Sequence, residues 1–207
     1  MQRSSLGAYG LVGVGLSALL IGIILVVRML RPEPAGINEL TRSRGPFNAP
    51  VQIIEYSDFQ CPSCRVAQDS IRLLLSRYPT QIRLVFQHFP LQGHRWSALA
   101  HQSAECAAKQ NKFWVYHDRL YLDQPLWAVF PQTPLERFLE YAKDAGLDLD
   151  RFSRCLSDGS VTQKIHGEEL AGVGLGVRST PSFFVNGNLA VGGKALQDEV
   201  EKILGKK

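Results

Sequence analysis

Neither an internal repeat nor a low-complexity tract interrupts the 207-residue sequence, so nothing in it points to an array of modules. A basic cluster is missing too. The net charge is +4, Lys and Arg are scattered, and Arg42–Arg44 is too small a group to make a nucleic-acid surface. With 45% hydrophobic and 20% charged residues, the chain lacks the polar excess of a disordered one. Its length suits one domain of ordinary size with an appendage. Cysteine is the most informative scarcity. There are four, Cys61, Cys64, Cys106 and Cys155, and only the first two lie close in sequence. A zinc site of CxxC type needs a second Cys pair or a Cys/His pair at ligand spacing. None is present, so no metal and no cofactor are expected. His88, His94, His101, His117 and His166 have no ligand-like spacing to one another and read as surface or packing residues. GVGLG, residues 172–176, lacks the preceding strand and the spacing of a phosphate loop.

What is present begins with an uncharged apolar run over residues 6–27, preceded by a short flank at 1–5. The run exceeds the roughly 20 residues that cross a hydrocarbon core. A signal peptide has an apolar core of about 7–15 residues and a small-residue cleavage site; here RMLRPEPAG follows instead. The run therefore reads as an uncleaved transmembrane anchor. Its Gly7, Gly10, Gly13, Gly15 and Gly22 would weaken a helix in water and suit one in a membrane. Counting positive charges, Arg3 and the amino terminus before the run against Arg28 and Arg31 after it, with Arg42 and Arg44 further on, slightly favours the C-terminal part in the cytoplasm. The cysteine chemistry below points to the other side. The expectation adopted is a single-pass membrane protein with its catalytic domain outside the cytoplasm.

Residues 28–47, rich in Pro, Gly and Arg, read as a linker, and 48–207 as the globular domain. Residues 49–57, APVQIIEYS, have the β-branched and apolar content of a buried strand. Val66, Ile71, Leu74, Leu75 and Tyr78 then recur at helical spacing, and Pro79 closes that segment. A second strand follows over 82–87. From about 92 to 176 every segment is helical in pattern, with Gly146 placed to end the third helix and Asp150 to cap the fourth. Two short apolar runs around Asn186–Gly187 signal a hairpin, and residues 195–204 end the chain as an amphipathic helix. A strand–helix–strand opening beside a hairpin gives a mixed sheet. The expected class is α/β: a mixed central sheet with helices on both faces, a helical domain inserted at about 92–176, and a transmembrane helix in front.

The remaining question is the use of DFQCPSC. A purely structural disulfide between Cys61 and Cys64 would close a very short loop, with little chain-entropy effect. The redox reading has a firmer basis. Pro62 and Ser63 fit the first turn of a helix, where proline's missing N–H costs nothing. Cys61 then sits at the helix N-terminus, facing unpaired N–H groups and the positive end of the dipole. Such positions typically lower a thiol pKa to about 3.5–7.5. Cys64, one turn inside, would be more buried and would serve as the resolving thiol. Glu55, in an otherwise apolar strand, reads either as an edge-facing solvated carboxylate or as a buried proton acceptor for Cys64.

The segments APVQIIEYSDFQCPSC, FQHFPL, AECAAKQNKFWVYHDRLY and GVRSTPSFFVNG, in this order and spacing, resemble the DsbA-like branch of the thioredoxin superfamily. The likeness runs from about Ala49 to the C-terminus. It implies a thioredoxin fold, with a cis-proline loop at Thr180–Pro181 facing Cys61 and Cys64 and with Glu55 as the buried acid. It thereby implies Cys61, Cys64, Glu55 and Pro181 as catalytic residues, and Thr180, Pro62 and Ser63 as substrate-binding ones. It further implies cysteine-containing protein substrates and a membrane redox partner, either a quinone-linked oxidase of DsbB or VKOR type or a donor of reductant. The sequence departs from the family at Pro62–Ser63, where the best-known periplasmic oxidases have Pro-His. Without that imidazole Cys61 should be less acidic and the disulfide less oxidising, and Asp58, if ionised and close, would push the same way. Gln60 stands where thioredoxins and cytochrome-maturation reductases usually have Trp. The expected activity is disulfide exchange with extracytoplasmic proteins, as an oxidase; a reductase or isomerase, or a binding module with a merely structural cysteine pair, are the alternatives. Cys106 and Cys155 read either as inert buried thiols or as a second, structural disulfide suited to an oxidising compartment.

Overall fold

A computed structural model describes residues 41–205. The anchor expected at 6–27 lies outside the described residues; among those described, no helix is long and apolar enough to cross a membrane. The elements are β1 (Ser43–Arg44), β2 (Val51–Ser57), α1 (Pro62–Arg77), β3 (Ile82–His88), α2 (Ser97–Ala108), α3 (Phe113–Leu122), α4 (Gln124–Trp127), α5 (Leu135–Asp144), α6 (Leu149–Leu156), α7 (Gly159–Gly174), β4 (Ser182–Val185), β5 (Asn188–Val191) and α8 (Gly192–Leu204).

The five strands form one mixed sheet in the order β1-β3-β2-β4-β5. β2 and β3 are parallel, and the other pairs are antiparallel. Strand alternation sorts the side chains. Val51, Ile53, Ile82, Leu84, Phe183 and Val185 pack against Ala67, Ile71 and Leu74 of α1 and Leu196 and Val200 of α8. On the opposite face Tyr56 meets Phe89 and Val177. There α7 approaches so closely that a Cβ on Gly172 would lie 2.8 Å from the Tyr56 ring, which gives the first glycine of GVGLG a packing role. The β4–β5 turn has φ of 47° at Asn186 and 88° at Gly187, the double positive φ of a type I′ hairpin.

Between β3 and β4 lie the six helices α2 to α7. Phe113, Tyr116, Trp127, Phe138 and Phe152 fill their common core. α5 ends in a Schellman motif: Gly146, at φ 69°, donates to Lys143 O, and Leu147 donates to Ala142 O. The next helix is capped by Asp148, whose Oδ1 accepts from Arg151 N at 2.9 Å; Asp150, expected as the cap, lies inside the first turn instead. Cys106 of α2 and Cys155 of α6 form a disulfide across a sequence separation of 49.

The linker expected at 28–47 does not extend to 47. Residues 43–44 add β1 to the edge of β3, Phe86 N donates to Arg42 O, and the Arg42 side chain is fully buried against Glu168. A two-residue strand carries no periodicity. The residue that makes the segment part of the core is an arginine, whose partner lies 126 positions away.

Candidate active site

The chain leaves β2 at Ser57 and turns through Asp58, whose carbonyl accepts from Cys61 N at 3.1 Å. Cys61 keeps an extended backbone, φ −72° and ψ 121°, and Pro62 opens α1, so Cys61 is the helix N-cap. The Cys61 side chain makes no capping bond and lies 3.6 Å from Thr180 O. Cys64 is fully buried one turn inside, with Asp58 N donating to its Sγ at 3.4 Å. Both thiols are free. The Cys64 thiol, followed by Thr180 and then the N–H groups of Cys64 and Ser63 at the helix end, pulls the Cys61 thiol down to about 5 against the opposing effect of burial. Burial, and then the neighbouring Cys61, push Cys64 well above the ordinary thiol value. The Pro-Ser dipeptide thus leaves Cys61 strongly acidic, because helix-end donors and the second thiol act without an imidazole.

The Thr180–Pro181 bond is cis, and Thr180 O faces the Cys61 sulfur. Pro62, Ser63 and Pro181 line a shallow groove of about 370 Å³ with Val66, Gly193 and Lys194. The expected residues Cys61, Cys64, Thr180, Pro181, Pro62 and Ser63 therefore meet at one place, from α1 and from the loop before β4. Glu55 lies fully buried on β2, beneath the same helix. Gln68, one turn beyond Cys64, donates to Glu55 Oε1 at 3.0 Å. Burial pushes Glu55 up to about 7, although hydrogen bonds from Ser57 and Gln68 oppose the shift. It is thus a buried carboxyl that changes charge near neutral pH, and the solvated reading is excluded.

Three further features were not visible in the sequence. Gln60 donates to Ala128 O at 2.7 Å and accepts from Trp96 N. Gln124 donates to Phe59 O and Cys61 O at 2.7 and 2.9 Å. These two amides tie the cysteine loop to the helical domain; a glutamine in a loop or on a helix gives no local sign of such a role. Asp58 is the third. Its Oδ1 accepts from Gln60 N and Ser97 Oγ, and its Oδ2 accepts from Leu91 N and lies 2.6 Å from His94 Nδ1. Burial alone would raise its pKa, but His101, Ser97 and the Gln60 amide outweigh that effect and hold it near 2. Asp58 is ionised, but its carboxylate turns toward α2 and the loop before it while its amide serves Cys64.

A sheet with one parallel pair, cysteines at the head of the first helix, a facing cis-proline and helices between β3 and β4 define a thioredoxin fold of the DsbA type. A family model described as Thioredoxin matches residues 38–206. The chain belongs to the thioredoxin family. Among solved structures it is similar to a thioredoxin-like oxidoreductase from Silicibacter pomeroyi, at TM-score 0.65 and 27% identity, covering 80% of this chain and 92% of that one. It is also similar in fold to BdbD from Bacillus subtilis, at TM-score 0.68 and 22% identity, covering 80% and 91%. A named sequence relative is Na(+)/H(+) antiporter NhaA 3 of Salinispora tropica, 40% identical over 149 residues, 70% of this chain and 21% of the antiporter. The chain spans about a fifth of the length of that relative, so the shared part is a fraction of the antiporter.

Proposed function

We propose that this protein is a thiol–disulfide oxidoreductase that exchanges disulfides with cysteine-containing proteins through Cys61 and Cys64, acting as an oxidase. One observation carries the reading: two free thiols one helical turn apart lie in unlike settings, Cys61 as the helix N-cap facing Thr180 O and Cys64 fully buried behind it, which lowers the first to about 5 and raises the second. In the oxidised protein a substrate thiolate attacks Cys61 Sγ, a mixed disulfide forms, and Cys64 leaves as a thiolate that takes up a proton. A second substrate thiolate then attacks the substrate sulfur of that mixed disulfide and expels the Cys61 thiolate. The low pKa of Cys61 makes it the better leaving group, which favours transfer of the disulfide to the substrate. Glu55 is the proton carrier for Cys64, and the Thr180–Pro181 loop holds the substrate backbone by strand-like hydrogen bonds.

In this reading residues 6–27 anchor the chain in the membrane, the domain lies outside the cytoplasm, and a membrane partner reoxidises the dithiol. The experiment that tests the chemistry is a pair of variants. Cys61→Ser should abolish exchange with a reduced protein substrate, and Cys64→Ser should accumulate mixed disulfides visible on non-reducing gels. Exchange that survives Cys61→Ser would reduce the pair to a structural feature.

A further inference from the structure

Behind the cysteine loop lies a row of buried ionisable groups that the exchange chemistry does not use. His88 and His101 are both fully buried, on β3 and α2, with their Nδ1 atoms 2.7 Å apart. Two lone pairs at that distance repel and two N–H groups collide, so one proton lies between the rings. Each outer nitrogen faces a carboxylate. His88 Nε2 is 3.3 Å from Glu105 Oε2, and His101 Nε2 is 3.7 Å from Asp58 Oδ1. A carboxylate only accepts, so His88 Nε2 carries a hydrogen; His101 Nε2 makes no hydrogen bond, and the Asp58 carboxylate it faces favours a hydrogen there as well. Three protons on four nitrogens make one imidazole and one imidazolium.

We propose that His88 and His101 share a single imidazolium charge clamped between Glu105 and Asp58, and that they are positioning residues for the Cys61–Cys64 loop. The surrounding groups support the count. Arg42 lies 3.5 Å from Glu105 and pairs with Glu168, which also accepts from His88 N; Lys164 pairs with Glu105 at its partly exposed edge. Three carboxylates, Glu105, Glu168 and Asp58, thus face two permanent cations, and the shared imidazolium balances the cluster. Burial opposes ionisation of Glu105, but His88, Arg42 and Lys164 hold it near 2. Burial lowers His88 to about 4, and His101 is the ring that faces Asp58. His94 touches the other Asp58 oxygen, and Ser97 shares Oδ1, so the imidazolium is the buried cation at that carboxylate. Asp58 in turn gives its amide to Cys64 Sγ. Without the imidazolium, an uncompensated buried charge stands beside the sulfurs and disfavours the Cys61 thiolate.

The inference rests on the exchange reading for its consequence but not for its test. Ring-nitrogen NMR of the reduced full-length protein in detergent, at pH 7, should show hydrogens on both Nε2 atoms and a coupling between the two Nδ1 atoms. An unprotonated His101 Nε2 would overturn the shared charge. In parallel, the Cys61 thiolate is titrated by its ultraviolet absorbance in His101→Gln and His101→Asn. Gln keeps a neutral donor toward Asp58, and Asn keeps one toward His88. Both should raise the thiolate midpoint by about half a unit or more. Restoration of the parent midpoint by Gln would show that a hydrogen bond, not a charge, is required. Both readouts use the dithiol protein without substrate, so a failure of disulfide exchange would leave them unaffected.

Discussion

Glu55 shows how one residue couples stability to chemistry. Its pKa is raised from 4.5 to about 7 by burial. A group raised on folding supports stability fully below its unfolded value, and that support is lost as pH rises through the folded value. The window here is therefore about pH 4.5 to 7. Glu55→Gln, neutral throughout, should match the parent at pH 4 and exceed it by about 3 kcal/mol at pH 8 in urea unfolding. An equal difference at both pH values would contradict the buried-acid account. The same variant should slow proton transfer at Cys64. At this scale much was legible, because the helix N-terminus that sorts Cys61 from Cys64 is a local property of CPSC. The histidines were not. His88 and His101 stand 13 positions apart on a strand and a helix, and only the folded chain brings their rings together.

At the scale of elements, the strands and helices with clear periodicity were readable, and those held by distant polar contacts were not. β2, α1 and the β4–β5 hairpin follow from a β-branched apolar run, helical spacing and Asn186–Gly187. β1 does not, because it consists of two residues and depends on Arg42 reaching Glu168. The helical domain has a covalent tie of its own. The Cys106–Cys155 bond joins α2 to α6 across 49 positions and, on the chain-entropy account, contributes about 4 kcal/mol. Replacing both cysteines with alanine should lower stability by about that amount in chemical denaturation, while Cys61 and Cys64 still titrate. Loss of less than about 1 kcal/mol would mean that helix packing alone fixes the domain. Because Gln124 of α4 holds the carbonyls of Phe59 and Cys61, loosening the helices should also loosen the cysteine loop.

For the whole molecule, the sequence states where the chain is apolar more clearly than which way it faces. Positive charges near 6–27 and the paired cysteines argue for opposite orientations, and the Cys106–Cys155 bond adds weight to an oxidising compartment. A reporter fused after Lys207 that works only outside the cytoplasm should be active, and one that works only inside should be silent. The reverse pattern would move the domain to the cytoplasm and remove the oxidase reading.

The contact between Cys61 and Thr180 has a consequence in time. The two residues are 119 positions apart. At synthesis rates of roughly 5–20 residues per second, the Cys61 thiol emerges about 6–24 s before the carbonyl that will face it. Cys106 likewise emerges about 2–10 s before Cys155, given their separation of 49. During that interval Cys61, Cys64 and Cys106 are present together without the fourth sulfur. In the extracytoplasmic reading proposed above, the native bonding pattern therefore requires the nascent chain to meet an oxidant late.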